Sequence, residues 1–357
     1  MNDLTKLLVT PDNTIREAIA SIDMNAKGIV LVVDKNRRLV GTVTDGDIRR
    51  AILSGMSLEI PVQKLMERRP STHYPHPITA LAGTSNAELI RLMNDHLIRH
   101  VPLLDLEGRV VDIALLSDFV KEYELPLTAV IMAGGFGARL RPLTESMPKP
   151  MLPVGDRPLM ELTIEQLRQA GIHRVNITTH YMPEKIINHF GDGRDFGVEL
   201  NYVNEDRPLG TAGALALLAT PQEPLLIING DILTRVDFRA MVNYHREQKA
   251  ELTVAVRQYD IQVPYGILEC EGSMVCQVRE KPLLRFLANA GIYLMEPSAH
   301  HYIPNGKRFD MTDLIQRLIE EGRSVVSFPI VEYWLDIGEH TDYEQAQKDC
   351  SNGRLAP

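Results

Sequence analysis

Between residues 128 and 229, short apolar runs alternate with helix-forming stretches. Residues 128–132, 174–179, 198–203 and 225–229 read as strands. Residues 159–170 read as a helix stopped by Gly171, residues 183–190 as a helix with proline in its first turn, and residues 211–219 as a helix of small residues. Parallel strands need crossover connections, and helices provide them. The alternation therefore predicts an α/β, Rossmann-like, mostly parallel sheet with helices on both faces. In such sheets ligands sit beyond the carboxyl ends of the strands.

The first strand runs into a glycine-rich turn, Ala133-Gly134-Gly135-Phe136-Gly137, followed by Arg139, Arg141 and Lys149. A turn that wraps phosphates needs glycine, because a Cβ blocks close backbone approach. Its bare N–H groups form an anion-binding concavity, and arginine and lysine add charge-assisted contacts to phosphoryl oxygens. Gly134, Gly135 and Gly137 could also make an ordinary strand-to-loop turn. The P-loop pattern G-x-x-x-x-G-K-[ST] is absent. Leu140-Arg141-Pro142 stands where a dinucleotide-binding loop would carry its third glycine. A nucleoside triphosphate is the expected ligand.

Residues 135–150 resemble the signature of sugar-1-phosphate nucleotidyltransferases, G-x-G-x-R-L-x-P-L-T-x-x-x-P-K-P. Ala138 departs from it, since many members carry threonine there; the backbone donors are unaffected. Further segments follow in the family's order over residues 128–345. The resemblance implies that Pro208-Leu209-Gly210-Thr211-Ala212-Gly213 approaches the base, although small residues there also suit close helix packing. It implies that Asn229-Gly230-Asp231 closes the nucleotide site, and that Asp231 and the Asp336 of Trp334-Leu335-Asp336 share Mg2+. Two converging carboxylates without a cation would be costly. Arg139 would grip the pyrophosphate, Lys149 the α-phosphoryl group, and Lys281 the sugar phosphate. Tyr265, Gly266, Glu280 and Asn289 would meet the sugar. Read on their own, Tyr265-Gly266 is a turn and Glu280-Lys281 a solvated ion pair. Trp334 and residues 309–314 read as structural, with Thr312 and Asp313 as capping residues, and His173, His180 and His189 as surface or packing groups.

The implied reaction joins NTP and a sugar 1-phosphate to give an NDP-sugar and pyrophosphate, with no covalent enzyme intermediate. GTP is favoured over UTP and thymidine nucleotides. The alternatives are a uridylyl- or thymidylyltransferase of the same fold, or a catalytically silent nucleotide or sugar-nucleotide sensor.

Upstream, residues 14–19 align with 85–90, 28–34 with 99–105, and 38–48 with 109–119, an offset of about 71 positions. Each unit reads as a capped helix, a buried strand, and a second strand leading to an acidic helix start. Gly41-Thr42-Val43-Thr44-Asp45-Gly46-Asp47 resembles the core of a CBS module, so residues 1–122 resemble a tandem CBS (α+β) pair, split at about 60. The resemblance implies a regulatory purine nucleotide held at Thr44 and Asp47, with Asp118 as the second repeat's counterpart. Thr44 and Asp47 would equally serve as a plain helix cap. In the second repeat Leu115 replaces Thr44, and Asp112 replaces Gly41. Such pairs also associate face to face, which suggests a homo-oligomer. Pro126 breaks the chain before a second domain over residues 126–350.

The formal net charge is −9, and no basic aromatic stripe is present, which argues against nucleic acid as a partner. No apolar run approaches the roughly 18–20 residues that cross a bilayer, and the N-terminus lacks a secretory pattern. Cys270, Cys276 and Cys350 show no C-x-x-C spacing. Free thiols and a cytoplasmic location without membrane contact are expected.

Overall fold

The computed structural model describes residues 4–67, 76–96, 98–119 and 124–354; the junction at 120–123 lies outside the described residues. The second half is built on a seven-stranded sheet. Its order is Glu199–Asn204, Arg174–Thr179, Thr128–Ala133, Leu225–Asn229, Leu283–Met295, Leu252–Gln262 and Val325–Pro329. The first four strands are parallel. Leu283–Met295 runs antiparallel to both neighbours, and Val325–Pro329 returns parallel to Leu252–Gln262. The sheet is thus mostly parallel, as its alternating sequence predicts.

Burial on both faces explains the continuous apolar strands. Val130, Ile131 and Leu226 to Ile228 are all inaccessible to solvent. One face packs under Leu159–Gln169, Pro183–Phe190 and Phe238–Gln248, through Ile164, Ile186 and Met241 among others. The opposite face packs under Met311–Glu320 through Met311, Leu314 and Leu318. The chain starts in mid-sheet at Thr128–Ala133, steps outward twice, then recrosses to Leu225–Asn229 on the other side. The strand order therefore reverses between these two strands. At such a switch point the connections diverge and leave a crevice at the carboxyl ends.

The expected helix over 211–219 is not formed. Gly210–Gly213 makes one α-turn, and Ala214–Leu217 tightens to a 3-10 turn. Ala212 N and Gly213 N both donate to Phe309 O, at 2.9 and 2.7 Å, which bends the segment around a neighbouring turn. A Cβ on Gly213 would lie 2.7 Å from Lys307 O. Small residues here serve close backbone approach rather than helix length.

The N-terminal half shows the duplication directly. Leu8–Val9, Ile29–Val33 and Leu39–Thr44 form one sheet; Ala80–Leu81, His100–Leu104 and Val110–Leu115 form the other. In each, the first pair is parallel and the second antiparallel. The helices Ile15–Asn25 and Asn86–Asp95 start at Thr14 and Ser85, each in a capping box closed by Glu17 or Glu88. The repeats diverge afterwards. The first has the nine-residue helix Asp45–Leu53, whereas the second has only the 3-10 turn Leu116–Asp118. Leu31 and Val33 of the first pack with Val110, Ile113 and Leu115 of the second, so the two repeats share a core.

Candidate active site

The glycine-rich turn leaves the sheet at the switch point. A Cβ on Gly134 would collide with Glu205 Oε1. Gly137 has φ +61°, and its Cβ would lie 2.9 Å from Thr144 Cγ2 and 3.3 Å from Lys149 Cβ. Packing demands glycine at both positions. Around Gly135, by contrast, a Cβ would meet nothing within 4 Å, so this part of the turn faces open space. Thr144 Oγ1 donates to Gly137 O at 2.7 Å and ties the turn to the segment carrying Lys149.

Across the crevice, Gly230 packs tightly, with a Cβ position 2.7 Å from Met132 O. The adjacent Asp231 accepts a hydrogen bond from Lys149 Nζ at 2.6 Å. Lys149 is only 8% exposed, so its ammonium group is largely shielded from bulk water, while Asp231 stays half-buried. Backbone pairing then brings in the second carboxylate. Ile232–Thr234 pairs antiparallel with Trp334–Asp336, placing Ile232 opposite Asp336. Ile337 N donates to Asp231 O at 3.0 Å. The Asp336 carboxyl is held above the ordinary range by local desolvation and then by the facing charge of Asp231, while Lys149 and Arg139 pull it down. Its side chain still opens to the crevice, which softens the effect. Arg139 Nη1 lies 3.6 Å from the Cβ position of Gly338, beside the same carboxylate.

Two facing carboxylates are hard oxygen donors, and their mutual repulsion is what a divalent cation would relieve. The pair fits Mg2+, which commonly takes one or two carboxylates and completes its shell with phosphate oxygens and water.

Two buried oxygens lack hydrogen-bond partners among the described residues: Thr179 Oγ1 and Asn229 Oδ1. Each belongs to the last residue of a sheet strand. Asn229 Nδ2 is 2.7 Å from the Cβ position of Gly291, and Gly291 N donates to Asn289 Oδ1 at 3.0 Å. Asn289 is thereby linked to the crevice. Gly210, Thr211 and Ala212 are pinned from the side: Asp310 Oδ1 accepts from Thr211 N, and Thr211 Oγ1 accepts from Met311 N, both at 2.9 Å. The helix Met311–Glu320 is capped by Asp310 with Asp313, rather than by Thr312.

Tyr265, Gly266, Glu280 and Lys281 form a separate group. They flank the hairpin Ile267–Glu271/Met274–Arg279 on an exposed arm of the sheet. Glu280 Oε2 lies 2.8 Å from the Cβ position of Gly266, Lys281 adopts φ +42°, and Tyr265 is largely exposed. Ala133, the last residue of its strand, is buried.

Glu205 escapes a reading from spacing alone. It follows the strand Glu199–Asn204, is 5% exposed, and accepts a hydrogen bond from Leu209 N at 2.9 Å through Oε2. Its other oxygen abuts Gly134. Burial raises its carboxyl above the usual range, opposed by the Leu209 amide and His180. The available signal is its place at a strand's carboxyl end, just before Pro208.

In the first repeat, Thr44 and Asp47 cap the helix Asp45–Leu53. Asp47 N donates to Thr44 Oγ1 at 3.3 Å, and Thr44 N to Asp47 Oδ2 at 2.9 Å. In the second, Asp118 accepts from Leu115 N at 3.1 Å without a hydroxyl partner.

Residues 128–353 match the nucleotidyl transferase family model, and residues 4–54 and 64–125 match the CBS domain model. The chain belongs to the nucleotidyl transferase family and carries a CBS pair ahead of that domain. It is 32% identical over 241 residues to a UTP–glucose-1-phosphate uridylyltransferase of Synechocystis, covering 62% of each chain. It is 30% identical over 243 residues to a mannose-1-phosphate guanylyltransferase of Mycobacterium tuberculosis, covering 64% of this chain and 66% of that one. The chain thus spans less than two thirds of the length of both curated relatives. A D-glycero-alpha-D-manno-heptose 1-phosphate guanylyltransferase of Aneurinibacillus thermoaerophilus is 33% identical over 230 residues, covering 63% of this chain and 99% of that one. Among solved structures, a Bacillus anthracis protein described as a glucose-1-phosphate thymidylyltransferase superposes with TM-score 0.53 at 27% identity, covering 62% of this chain and 94% of that one. No helix among the described residues is long and apolar enough to cross a membrane.

A carboxyl whose pKa rises on folding lowers stability as pH climbs from its unfolded value through its folded one. At pH 7.5 the ionised Asp336 therefore costs the metal-free protein stability. Asp336→Asn is expected to raise the thermal midpoint in EDTA, and the gain should shrink as pH falls toward 4. A lowered midpoint at pH 7.5 would contradict this electrostatic account.

Proposed function

We propose that this protein transfers a nucleotidyl group from an NTP to a sugar 1-phosphate, releasing pyrophosphate. The observation that supports this best is the convergence of Lys149, Asp231 and Asp336 opposite an open glycine turn at the sheet's switch point. The turn's backbone and Arg139 would hold the β- and γ-phosphates, which leave together as pyrophosphate. Lys149, fixed by Asp231, would lie against the α-phosphoryl group and offset the charge that builds up there. The sugar phosphate's oxygen would attack the α-phosphorus in line and displace pyrophosphate; Lys281, on the exposed arm, is assigned to the sugar phosphate by family resemblance alone. Positioning and charge neutralisation do the catalytic work. Asp231 and Asp336 would hold Mg2+, which when bound neutralises phosphate oxygens.

Glu205 favours guanine. Its free carboxylate oxygen beside Gly134 suits a base edge that presents N–H donors, as guanine does at N1 and N2. Uracil and thymine present two carbonyl oxygens around a single N–H, which a buried carboxylate repels. Guanylyltransferases recur among the relatives; the Synechocystis uridylyltransferase supports the rival base.

Pyrophosphate release should be measured across four NTPs and a panel of sugar 1-phosphates with Mg2+. GTP is expected to give the active pair, and Asp231→Asn to lower its rate by about 100-fold or more. An unchanged rate in Asp231→Asn would remove the metal role. Glu205→Gln replaces one acceptor with a donor, so kcat/KM for GTP should fall about 10- to 100-fold, in line with a charged hydrogen bond of about 1.5–3 kcal/mol. Equal loss for GTP and UTP would argue against base reading. Silence across the grid with intact NTP binding would favour the sensor.

The first repeat is the proposed regulatory site. The start of the helix Asp45–Leu53, with the Thr44 hydroxyl, suits a nucleotide phosphate, and Asp47 suits ribose hydroxyls. Calorimetry of the full chain with AMP is expected to show binding that Thr44→Ala weakens; no heat would leave Thr44 and Asp47 as a helix cap alone.

A further inference from the structure

The approach to Asp336 is buried in the N-terminal module. Four residues separate Val325–Pro329 from Trp334–Asp336, and three of them dock onto the first repeat. Val331 is 7% exposed and belongs to the core formed by Ile15, Ile48 and Ile52. Tyr333 N donates to Asp23 Oδ1 at 3.1 Å. Glu332 meets Arg49.

Arg49, 4% exposed, uses its whole fork. Nη2 donates to Glu332 Oε1 at 2.6 Å, Nη1 to Asp45 Oδ2 at 2.5 Å, and Nε to Pro329 O at 3.0 Å. Its guanidinium also lies over the Phe328 ring, 4.2 Å from the centroid. One arginine thus ties the end of the strand Val325–Pro329 to Glu332 in the connecting segment. From there the restraint runs into the site. Tyr333 O accepts from Arg235 N at 2.9 Å and from Thr234 Oγ1 at 3.0 Å, just where Trp334–Asp336 begins its ladder with Ile232–Thr234. Trp334 Nε1 donates to Ala290 O at 2.9 Å. Arg285, from the strand that carries Asn289, separately reaches Met56 O and Ser57 Oγ of the same repeat, at 3.5 and 3.4 Å.

We propose that Arg49 is a positioning residue for Asp336. Through Glu332 and Pro329, the first repeat fixes the register of Trp334–Asp336 and so the spacing between Asp336 and Asp231. The inference rests on the reading of Asp336 as a metal carboxylate.

Electron paramagnetic resonance of Mn2+ titrated into the full chain tests it, without any catalytic assay. Arg49→Lys keeps the charge and loses the fork. It is expected to weaken Mn2+ binding about 10-fold, the size of effect seen when outer partners of metal ligands are altered. Binding of a fluorescent GTP analogue in EDTA should stay within about twofold. Because an unpaired buried charge can unfold the protein, the triple variant Arg49→Met, Asp45→Asn and Glu332→Gln, which removes the arginine and both of its carboxylate partners, is measured beside it and should weaken Mn2+ likewise. Arg49 as mere glue predicts a lower thermal midpoint with unaltered Mn2+ affinity. That result, in folded variants and with Asp336→Asn weakening the metal, would overturn the inference alone. Mn2+ binding by Asp336→Asn equal to that of the wild-type chain would remove the metal assignment and this inference with it.

Discussion

Two negative charges are brought together here by a backbone ladder. Asp231 and Asp336 lie 105 positions apart in sequence, and only the pairing of Ile232–Thr234 with Trp334–Asp336 makes them neighbours. The surrounding groups answer that strain. Lys149 is drawn out of solvent to bond Asp231, and Arg139 lies beside Asp336. The glycine turn packs its backbone against Lys149 and Thr144, leaving its open side for an anion. The surface proposed to take a polyphosphate with a divalent ion would thus arise from partially compensated charge, at a point where the strand order leaves a crevice. Facing carboxylates of this kind cost stability while unneutralised, and the proposed function would draw on that cost.

What the sequence conveys depends on whether a signal is local. The strands Arg174–Thr179 and Leu225–Asn229 and the helix Pro183–Phe190 have the bounds their residues suggest, because apolar runs there meet Gly, Pro or polar residues abruptly. The capped helices of the two repeats are equally legible from Thr14 and Ser85. The small residues after Gly210 mislead, since their composition permits a helix while the carbonyl of Phe309, about a hundred residues later, dictates a turn. Glu205 is illegible for a related reason: an acidic residue between Asn204 and Asp206 looks solvated, and only the tertiary fold seals it behind Gly134. Family resemblance supplies the convergence of Asp231 and Asp336; residue spacing does not.

The duplicated module shows how one pattern can yield two surfaces. Both repeats keep the helix cap and the three-stranded sheet. After the third strand the first has a hydroxyl and nine helical residues, whereas the second has Leu115 and a single 3-10 turn. Residue types at helix starts decide whether backbone amides are presented or covered. The first repeat, which retains that helix, is also the one that grips the transferase half through Arg49.

Val331 gives this architecture a bearing on ancestry. The Aneurinibacillus enzyme is matched over 99% of its length by 230 residues, a stretch that covers 63% of this chain. In this chain, however, a valine from the transferase half completes the first repeat's interior, and the neighbouring Glu332 meets its cation from the same repeat. Shuffling the two halves among genes would expose the valine and strand the carboxylate. The contact couples the two halves physically, and positions 49, 331 and 332 are expected to change together over time.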